Sequence, residues 1–382
     1  MSVDSVQRAA DKIAQLCAAP RGLIALWQDA SEVVAGVVPY FWTPCWFTLD
    51  PVSLLMTSHY HLGMDEFPGE WLAAEYYEDD VQSVPGVMRS ATGLSTLHDA
   101  AGGDPSHSPR WRRNRTLGGD QELIARLRTR SGETWGALSL YRAEGMPMFT
   151  ETEKSFLAEI SPVLAGGARR ALLCGQAAEP EYSDSPGLIV LDDQWDVESA
   201  TAGVDRWMAD LPGGNWDRGE LPPAVITLAA RALRSAEDRD HLGEVALSRV
   251  LSRSGSWVVL HGACLSSTGR RRIAVIVEPA HPSRLHPLLM SAYGLTEREK
   301  EVTTLVLQGA STSQISTELS VSAHTVQQHL KSIFDKTGVH SRRDLVGTVF
   351  FHHYEPRFRD NETRALADRP LRGGPWPTDR RR

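Results

Sequence analysis

The chain has 382 residues, of which 41% are hydrophobic and 23% are charged, a composition that indicates an ordinary soluble protein of about two to four domains. Its cysteines lie far apart and form no C-x-x-C pair, which excludes a disulfide framework or a cysteine zinc site and favours a reducing cytoplasm; they are Cys17, Cys45, Cys174 and Cys264. The longest apolar stretch, Val33 to Trp42, is too short to cross a bilayer, so a cytoplasmic protein without membrane contact is predicted.

The net charge of −8, taken alone, argues against a nucleic-acid partner. The charges are unevenly distributed, however, because residues 356–382 contain eight arginines and only four acidic residues. Within 321–343 the single acidic residue, Asp335, stands among the four cations Lys331, Lys336, Arg342 and Arg343. An acidic body with a basic C-terminal end indicates a polyanionic partner for that end only.

The chain begins with two predicted helices and continues with predicted strands. Apolar residues at helical spacing predict helices over 2–18 and over about 22–38. Two strand-like runs meet at Asp50–Pro51, and two more meet at Ser131–Gly132. Each pair is therefore predicted to form a hairpin.

The polar, Gly- and Pro-rich span 102–120, between the two hairpins, is predicted to be a loop. Its arginine-rich run 110–115 admits two interpretations, an anion site or a solvated charge run, and the loop context favours the second. Thr150 and Glu153 form a capping box that begins a helix ending near residue 173. Pro162 is expected to kink or interrupt this helix.

A second α and β region follows a linker predicted at 176–186 from its composition. A hairpin is predicted over 187–201, helices over 202–211 and about 223–236, and three strands within 245–279. Both central regions thus predict one plan, an antiparallel sheet with helices to one side.

The segment 294–351 predicts four short helices with explicit start and stop signals. Thr296 and Glu299 form a capping box for the first helix, which Gly309 ends. Thr312 is predicted to cap the second helix, Ser322 the third and Ser341 the fourth. A three-residue turn joins the second helix to the third, which is the spacing of a helix-turn-helix.

The third helix, about 21 Å long, has one apolar and one polar face. Val326, Leu330 and Ile333 fall on one side and are predicted to pack inward. The outward residues include side chains that can bond to base edges, and its start offers hydroxyls and N–H groups to phosphate. These candidate DNA contacts are Ser322, His324, Thr325, Gln327, Gln328, His329 and Lys331, with Arg342 after the helix.

Four motifs in this region point to one family: LTEREKEV at 295–302, Ser-x-x-Thr-Val at 322–326, His-Leu-Lys at 329–331 and the segment from Lys336 to Arg342. With these motifs residues 291–352 resemble the LuxR-type (NarL/FixJ class) DNA-binding domain. The resemblance implies a third helix in the major groove of double-stranded DNA, with contacts from Gln327, Gln328 and Lys331. It also implies a fourth helix that often supplies a dimer contact. Ser316 departs from the family pattern, which more often has Ala.

The rest of the chain bears weaker resemblances, to a GAF domain and then to a PAS domain, which imply sensing, relay or dimerisation. The predicted fold class is therefore multidomain: an α+β GAF-like domain, an α+β PAS-like domain and an all-α four-helix LuxR-type helix-turn-helix domain. The predicted boundaries are 1–20 for an N-terminal helix, 21–175 GAF-like, 176–186 linker, 187–285 PAS-like, 291–352 LuxR-type and 356–382 for a disordered Arg-rich tail.

Aromatic residues are dense in the GAF-like region and admit two interpretations, an apolar ligand cavity or plain core. The candidate ligand-binding set is Trp42, Trp46, Trp71, Tyr76, Trp135 and Tyr141. His59 and His61 share one face of a strand, but no third ligand stands at metal spacing, so no metal or other cofactor is predicted.

These features predict a bacterial one-component transcription factor that binds DNA as a homodimer. Its partners would be double-stranded DNA, a small-molecule effector and, as a further candidate, RNA polymerase; the helices at 2–18 and 151–173 are the candidate dimer surface. No nucleotide-binding or hydrolase motif is found. Two alternatives stay open, an enzyme on a GAF or PAS scaffold with Cys45 as its only tempting nucleophile, and a regulator controlled by a protein partner alone.

Overall fold

The computed structural model describes residues 3–19, 21–62, 68–173, 186–237, 246–267, 270–280, 293–307 and 309–345. Contacts between residues divide the chain into two compact units, Met1–Pro279 and Ala280–Arg382, and each is described by itself. The linker predicted at 176–186 lies almost entirely outside the described residues, and the Arg-rich tail lies wholly outside them.

The first unit contains two five-stranded antiparallel sheets, and the first sheet has the strand order β2-β1-β5-β4-β3. Its strands are β1 (Trp42–Leu49), β2 (Met56–Tyr60), β3 (Leu94–Thr96), β4 (Gly119–Arg128) and β5 (Thr134–Ala143). Both hairpins predicted from the sequence are confirmed, because β1 pairs with β2 and β4 pairs with β5. Gly136 lets β5 approach β1 closely, since a Cβ there would lie 2.4 Å from the Phe47 carbonyl oxygen.

Helices cover both faces of the first sheet. One face packs against α1 (Val3–Ala18), α2 (Leu23–Ala35) and α7 (Glu151–Leu173), and Trp46 of β1 stacks on Trp27 there at 4.4 Å between ring centroids. The other face packs against α3 (Gly69–Tyr77) and α4 (Val84–Arg89). The expectation of helices on one side only is wrong for this sheet, because α3 and α4, which the sequence analysis missed, cover its second face.

Two further expectations for this region need correction. The span 102–120 is not all loop: it contains a short 3-10 helix, Pro105–His107, and α6 (Pro109–Thr116), which follow the short α5 (Leu97–Ala100). The Ser108 hydroxyl caps α6 by accepting a hydrogen bond from the Trp111 N–H (3.1 Å), and Pro109 fits the first helical turn. In α7, Pro162 does not interrupt the helix, which continues on both sides of it.

The second sheet has the same order of strands as the first, because each runs second-first-fifth-fourth-third in its own numbering. Its strands are β6 (Gly187–Leu191), β7 (Val197–Ala200), β8 (Ala246–Leu251), β9 (Trp257–Ser267) and β10 (Arg270–Pro279). A short helix, α8 (Val204–Asp210), and the 3-10 turn Trp216–Arg218 connect β7 to α9 (Pro223–Glu237). All of the strands predicted here are confirmed.

Helix α9 belongs to both halves of this unit. It packs against β8, β9 and β10 of the second sheet and against β2 and α3 of the first half. The Thr227 hydroxyl, itself buried, donates a hydrogen bond to the Met56 carbonyl (2.9 Å) on β2. One apolar cluster therefore runs from the first sheet through α9 into the second.

Among its described residues the second unit contains three helices, α10 (Glu297–Leu307), α11 (Thr312–Glu318) and α12 (Ala323–Thr337), and the start of a fourth at residues 342–345. Their inward residues form a separate small core that includes Val302, Ile315 and Leu330. The rest of the predicted fourth helix, after residue 345, lies outside the described residues. No helix in the described ranges is both long enough and apolar enough to cross a bilayer.

Candidate nucleic-acid interface

Side-chain caps fix where the helices of the second unit begin. Thr296 and Glu299 form the predicted capping box, with the Thr296 N–H donating to the Glu299 carboxylate (2.7 Å). For α11 the expected cap, Thr312, is wrong: Ser311 is the N-cap and forms a reciprocal box with Gln314. Thr312 is the first helical residue, because the Ser311 hydroxyl is the one that reaches the N–H of Gln314 (3.3 Å).

The turn between α11 and α12 is tight and internally bonded. Ser320 has φ of 53°, a left-handed conformation that is uncommon outside glycine. The Val321 N–H donates to the Ser316 carbonyl (3.1 Å), and the Ser316 hydroxyl donates to the Val321 carbonyl (2.6 Å). Ser316, the departure from the family pattern, therefore stabilises the turn through a bond that Ala does not have.

Helix α12 is anchored by one face and open on the other. Val326, Leu330 and Ile333 are buried, as predicted. Ser322 caps the helix by accepting a hydrogen bond from the Thr325 N–H (3.0 Å), and Gly338 ends it in the left-handed conformation. The solvent-exposed residues are His324, Gln327, Gln328, Lys331, Asp335 and Lys336.

The predicted DNA contacts differ in how far the domain already uses their polar groups. Gln328 and His324 lie 3.2 Å apart at their side-chain nitrogens, and the Gln327 amide donates a long bond to the Thr312 hydroxyl (3.4 Å). Lys331 is exposed, and no hydrogen bond or ion pair joins it to any residue that the structure describes. These weak or absent contacts leave the amides and the ammonium available to a ligand.

Two other candidates are partly covered. His329 is half-buried beside the core face of α12. Arg342 is also half-buried, and its guanidinium donates to the Ala310 carbonyl (2.6 Å) and to the Thr312 hydroxyl (3.3 Å). Arg342 thus ties the fourth helix to the start of α11.

Glu299 does more than cap its helix, a role that the sequence analysis missed. Its side chain is buried and accepts hydrogen bonds from Ser332 (2.6 Å) and Lys336 (2.6 Å) of α12. Burial raises the pKa of Glu299, but the bonds from Lys336, Ser332 and Thr296 outweigh it and lower that pKa to about 2. The carboxylate therefore fixes α12 against α10 and sets the direction in which the exposed face points.

Residues 294–349 match the family described as bacterial regulatory proteins, luxR family. The chain carries a LuxR-family DNA-binding domain. The match covers the capped helices and the open face of α12, so this part of the chain is that of a DNA-binding transcription regulator, as the four motifs imply.

The chain also resembles several solved structures at low similarity. A Vibrio cholera VqmA-ligand-DNA complex is 16% identical, with 45% of this chain and 84% of that chain covered and a TM-score of 0.23. An E. coli DhaR(N)-DhaL complex is 14% identical over 73% of this chain and 91% of that chain, with a TM-score of 0.21. The R. palustris bacteriophytochrome RpBphP3 is 12% identical over 73% and 63%, with a TM-score of 0.28. At these values the likenesses add nothing to the functional argument.

The structure does not bring the six aromatic residues proposed for a ligand cavity into one cluster, although Trp42 and Tyr141 are in edge contact at 5.3 Å between ring centroids. Trp46 packs on the face of the first sheet that α2 covers. Trp42, Tyr76 and Tyr141 lie in or against the cluster on the other face, where the Tyr76 hydroxyl bonds to the backbone of Leu54 and Met56. Trp135 is buried and Trp71 is half-buried. None of the six lines the cavity beside His59 and His61.

Cys45, the candidate nucleophile of the enzyme alternative, is completely buried on β1. Burial and then the nearby Glu122 raise the pKa of its thiol well above the usual range. Such a thiol stays protonated and is a poor nucleophile. His59 and His61 belong to no group of three metal-ligating side chains within the described ranges.

The arginine run at 110–115 is not simply a solvated charge run. Arg110 is buried and forms two hydrogen bonds to Glu122 (both 2.6 Å) and an ion pair with Glu75. Asn114 also donates to Glu122 (2.7 Å). The prediction of a solvated charge run is wrong for Arg110, because its partners lie on α3 and β4 and no local sequence pattern indicates that pairing.

Proposed function

We propose that this protein is a one-component transcription factor that reads double-stranded DNA by placing α12 in the major groove. The observation that carries this proposal is the open polar face of α12 within a LuxR-family domain. The described helix has 15 residues and a length of about 22 Å, a shape that the major groove admits. Gln327 and Gln328 would bond base edges, and Lys331 would bond guanine or phosphate.

The helix start would hold the phosphate backbone. The hydroxyls of Ser322 and Thr325 lie 2.8 Å apart at the N-terminus of α12, and hydroxyls and N–H groups at a helix start bind phosphate oxygens. His324 and His329 are further candidates for phosphate contact. Arg342 would contribute mainly by holding the fourth helix against α11, since its guanidinium is already bonded there.

A single α12 reaches few base pairs, so we propose that a homodimer reads an inverted repeat. The helices α1 and α7 were the candidate dimer surface, but they pack against each other within one chain. Residues such as Ile13 and Leu164 are buried by this packing. The apolar stripes of α1 and α7 are therefore largely buried within one chain. Other surfaces would form the dimer contact.

We propose that residues 21–279 form GAF-like and PAS-like sensor regions that control DNA binding through a small molecule. The same strand order in two antiparallel sheets supports two related α+β units. The open cavity of about 530 Å³ that residues of both halves line has the size of ordinary ligand sites, which favours a small-molecule effector over a protein partner as the only signal.

Genome-wide footprinting of the full-length protein tests the DNA-binding proposal. We expect protected inverted repeats with a shared sequence, and we expect Gln327→Ala/Gln328→Ala to lose about 10- to 100-fold in discrimination between sites. Gln7→Ala/Gln15→Ala, on the exposed side of α1, is the matched control and should keep the wild-type footprints. Protection without sequence preference in the wild type, or equal loss in both double variants, would contradict the proposal.

A further inference from the structure

A cavity lies where the two halves of the first unit meet. Its volume is about 530 Å³. One wall comes from the end of β2, with His59 and His61, and the opposite wall from the β6–β7 turn and the start of α9, with Trp195 and Ile226. A molecule in this cavity would therefore contact elements of both halves of the unit at the same time.

The cavity offers acceptors of hydrogen bonds and no positive charge. Glu70 and Glu220 line it, and no Lys or Arg is among the described lining residues. One carboxylate oxygen of Glu220 is buried without a hydrogen-bond partner, and so are both ring nitrogens of His61. Buried polar atoms without partners cost about 1–3 kcal/mol each, so a ligand that donates hydrogen bonds to these atoms would offset that cost.

Both histidines that face the cavity are uncharged at neutral pH. Burial and then His61 lower the pKa of His59 to about 3, and burial also lowers the pKa of His61. A neutral imidazole can accept a hydrogen bond at one nitrogen. The neutral His61 ring is therefore an acceptor that a hydrogen-bond donor in this cavity would use.

The backbone at Trp195 is held in an unusual conformation that places an indole on the cavity wall. Its φ is 69°, and a bulky residue in the left-handed region is a genuine outlier. The Asp192 carboxylate fixes the turn by accepting hydrogen bonds from the N–H groups of Gln194 and Asp196 (both 2.9 Å). Strain of this kind is often retained where a side chain serves a site.

We propose that this cavity binds a small arylalkylamine, with its N–H groups on Glu220 and His61 and its flat aromatic ring against Trp195, Leu221 and Ile226. This inference rests on the proposed ligand control and gives it a location and a ligand class. Anions such as carboxylates or phosphate esters are disfavoured, because two carboxylates and no cation line the described wall.

The position of the cavity explains how binding would reach the rest of the unit. Pro223 and Ile226 of the lining belong to the first turns of α9. The next residue, Thr227, bonds the Met56 carbonyl on β2, the same strand that carries His59. An amine bound here would favour the arrangement in which α9 and β2 are held together.

Binding of matched probe pairs to the full-length protein tests the site. The probes are benzylamine with benzoate, phenethylamine with phenylacetate, and tryptamine with indole-3-acetate, titrated by saturation-transfer NMR at millimolar concentration. We expect the amines to bind and their carboxylate counterparts not to bind. Binding of no amine, or of carboxylates equally well, would overturn the inference.

Variants then place the bound amine. Glu220→Gln and His61→Phe should each weaken amine binding about tenfold. Asp217→Asn is the matched control, because Asp217 is exposed in the same loop and does not line the cavity. Melting temperatures identify a variant that fails to fold, in which case the other variant decides. Equal weakening by Asp217→Asn and Glu220→Gln would overturn the site.

Operator binding measured with and without tryptamine separates the two proposals. Amine binding that leaves DNA affinity unchanged would contradict the proposed ligand control and retain the site. Normal operator binding with no amine bound would contradict the site and leave DNA reading intact.

Discussion

The LuxR-family domain and the double-sheet unit before it use buried charge differently. Among the described residues the domain has an apolar core of nine buried side chains, and the buried carboxylate Glu299 joins two of its helices. The double-sheet unit has much larger apolar clusters and buries a network of Arg110, Glu75 and Glu122. The small domain leaves polar groups of α12 exposed, whereas the double-sheet unit buries Arg110, Glu75 and Glu122 in a network that joins α6, α3 and β4.

The largest expected effect comes from the buried charges of the double-sheet unit. Arg110→Met leaves Glu75 and Glu122 buried without their cation, which should lower the free energy of unfolding by about 3–5 kcal/mol. Urea unfolding, followed by hydrogen exchange in residues 119–143, would measure this loss. The operator affinity of Arg110→Met molecules that remain folded should not change. The buried network would then affect the stability of the double-sheet unit and not DNA binding.

Two controls belong to this prediction. Arg113→Met removes a pair with the partly exposed Glu78 and should cost at most about 1 kcal/mol. Arg110→Met/Glu75→Gln/Glu122→Gln should recover part of the lost stability, because no buried charge is then unpaired. Equal losses for Arg110→Met and Arg113→Met would show that the buried network is not what holds this region.

The next effect concerns Glu299, the buried carboxylate among the described residues of the DNA-binding domain. Glu299 has a pKa of about 2, below the ordinary 4.5, so its stabilisation is fully present above about pH 4.5 and is lost as the pH falls towards 2. Glu299→Gln should therefore cost on the order of 3 kcal/mol at neutral pH, and the difference from wild type should shrink below about pH 4.5.

Hydrogen exchange of α10 and α12 in the full chain measures this difference at each pH. Glu301→Gln is the control on the same helix, where the side chain is exposed and pairs only with Arg298. If Glu299→Gln and Glu301→Gln had the same pH profile, the Glu299 carboxylate would not be the link between α10 and α12.

A smaller effect is expected on the exposed face of α12. Lys331→Ala should weaken operator binding by about 1–2 kcal/mol and, if the contact is to phosphate, reduce the salt slope by about 0.9 without lowering stability. Lys300→Ala, which removes a cation paired with Glu297 on α10, should leave the slope unchanged. Anisotropy titrations over a range of salt concentrations would measure both; an unchanged Lys331→Ala affinity would remove Lys331 from the interface.

The smallest effect is expected from the tail. Deleting residues 357–382 removes eight arginines and should weaken non-specific attraction to DNA while sparing the choice of operator. Competition binding between operator and unrelated DNA would show this. Loss of operator preference after the deletion would mean that the tail reads bases.

The two regions also differ in how far their sequences predict them. In the LuxR-family domain the caps at Thr296 and Ser322 are local signals, and each lies where expected. The predicted cap of α11, Thr312, is wrong by one residue, because the neighbouring Ser311 is also a good cap.

In the double-sheet unit the alternation of apolar and polar residues predicts the strands. It does not predict which side chains pair with each other. Arg110 pairs with Glu75, which is 35 residues away, and neither lies in a pattern that marks the other. Trp46 and Trp42 point to opposite faces of the same strand, so an aromatic count could not place them around one cavity. Each hairpin can be predicted from residues that are close in the sequence. The packing of α3, α6 and α9 depends on residues that are far apart in the sequence and cannot be predicted in this way.

Photo-crosslinking to operator DNA tests the central claim most directly. A benzoylphenylalanine in place of Gln328, on the exposed face of α12, should crosslink to bases of the operator in the full-length protein. The same group in place of Glu318, exposed on α11, is the control and should not crosslink to bases. Crosslinks from position 328 confined to bases within each half-site would support major-groove reading by α12; bound operator with no crosslink from position 328 would contradict it.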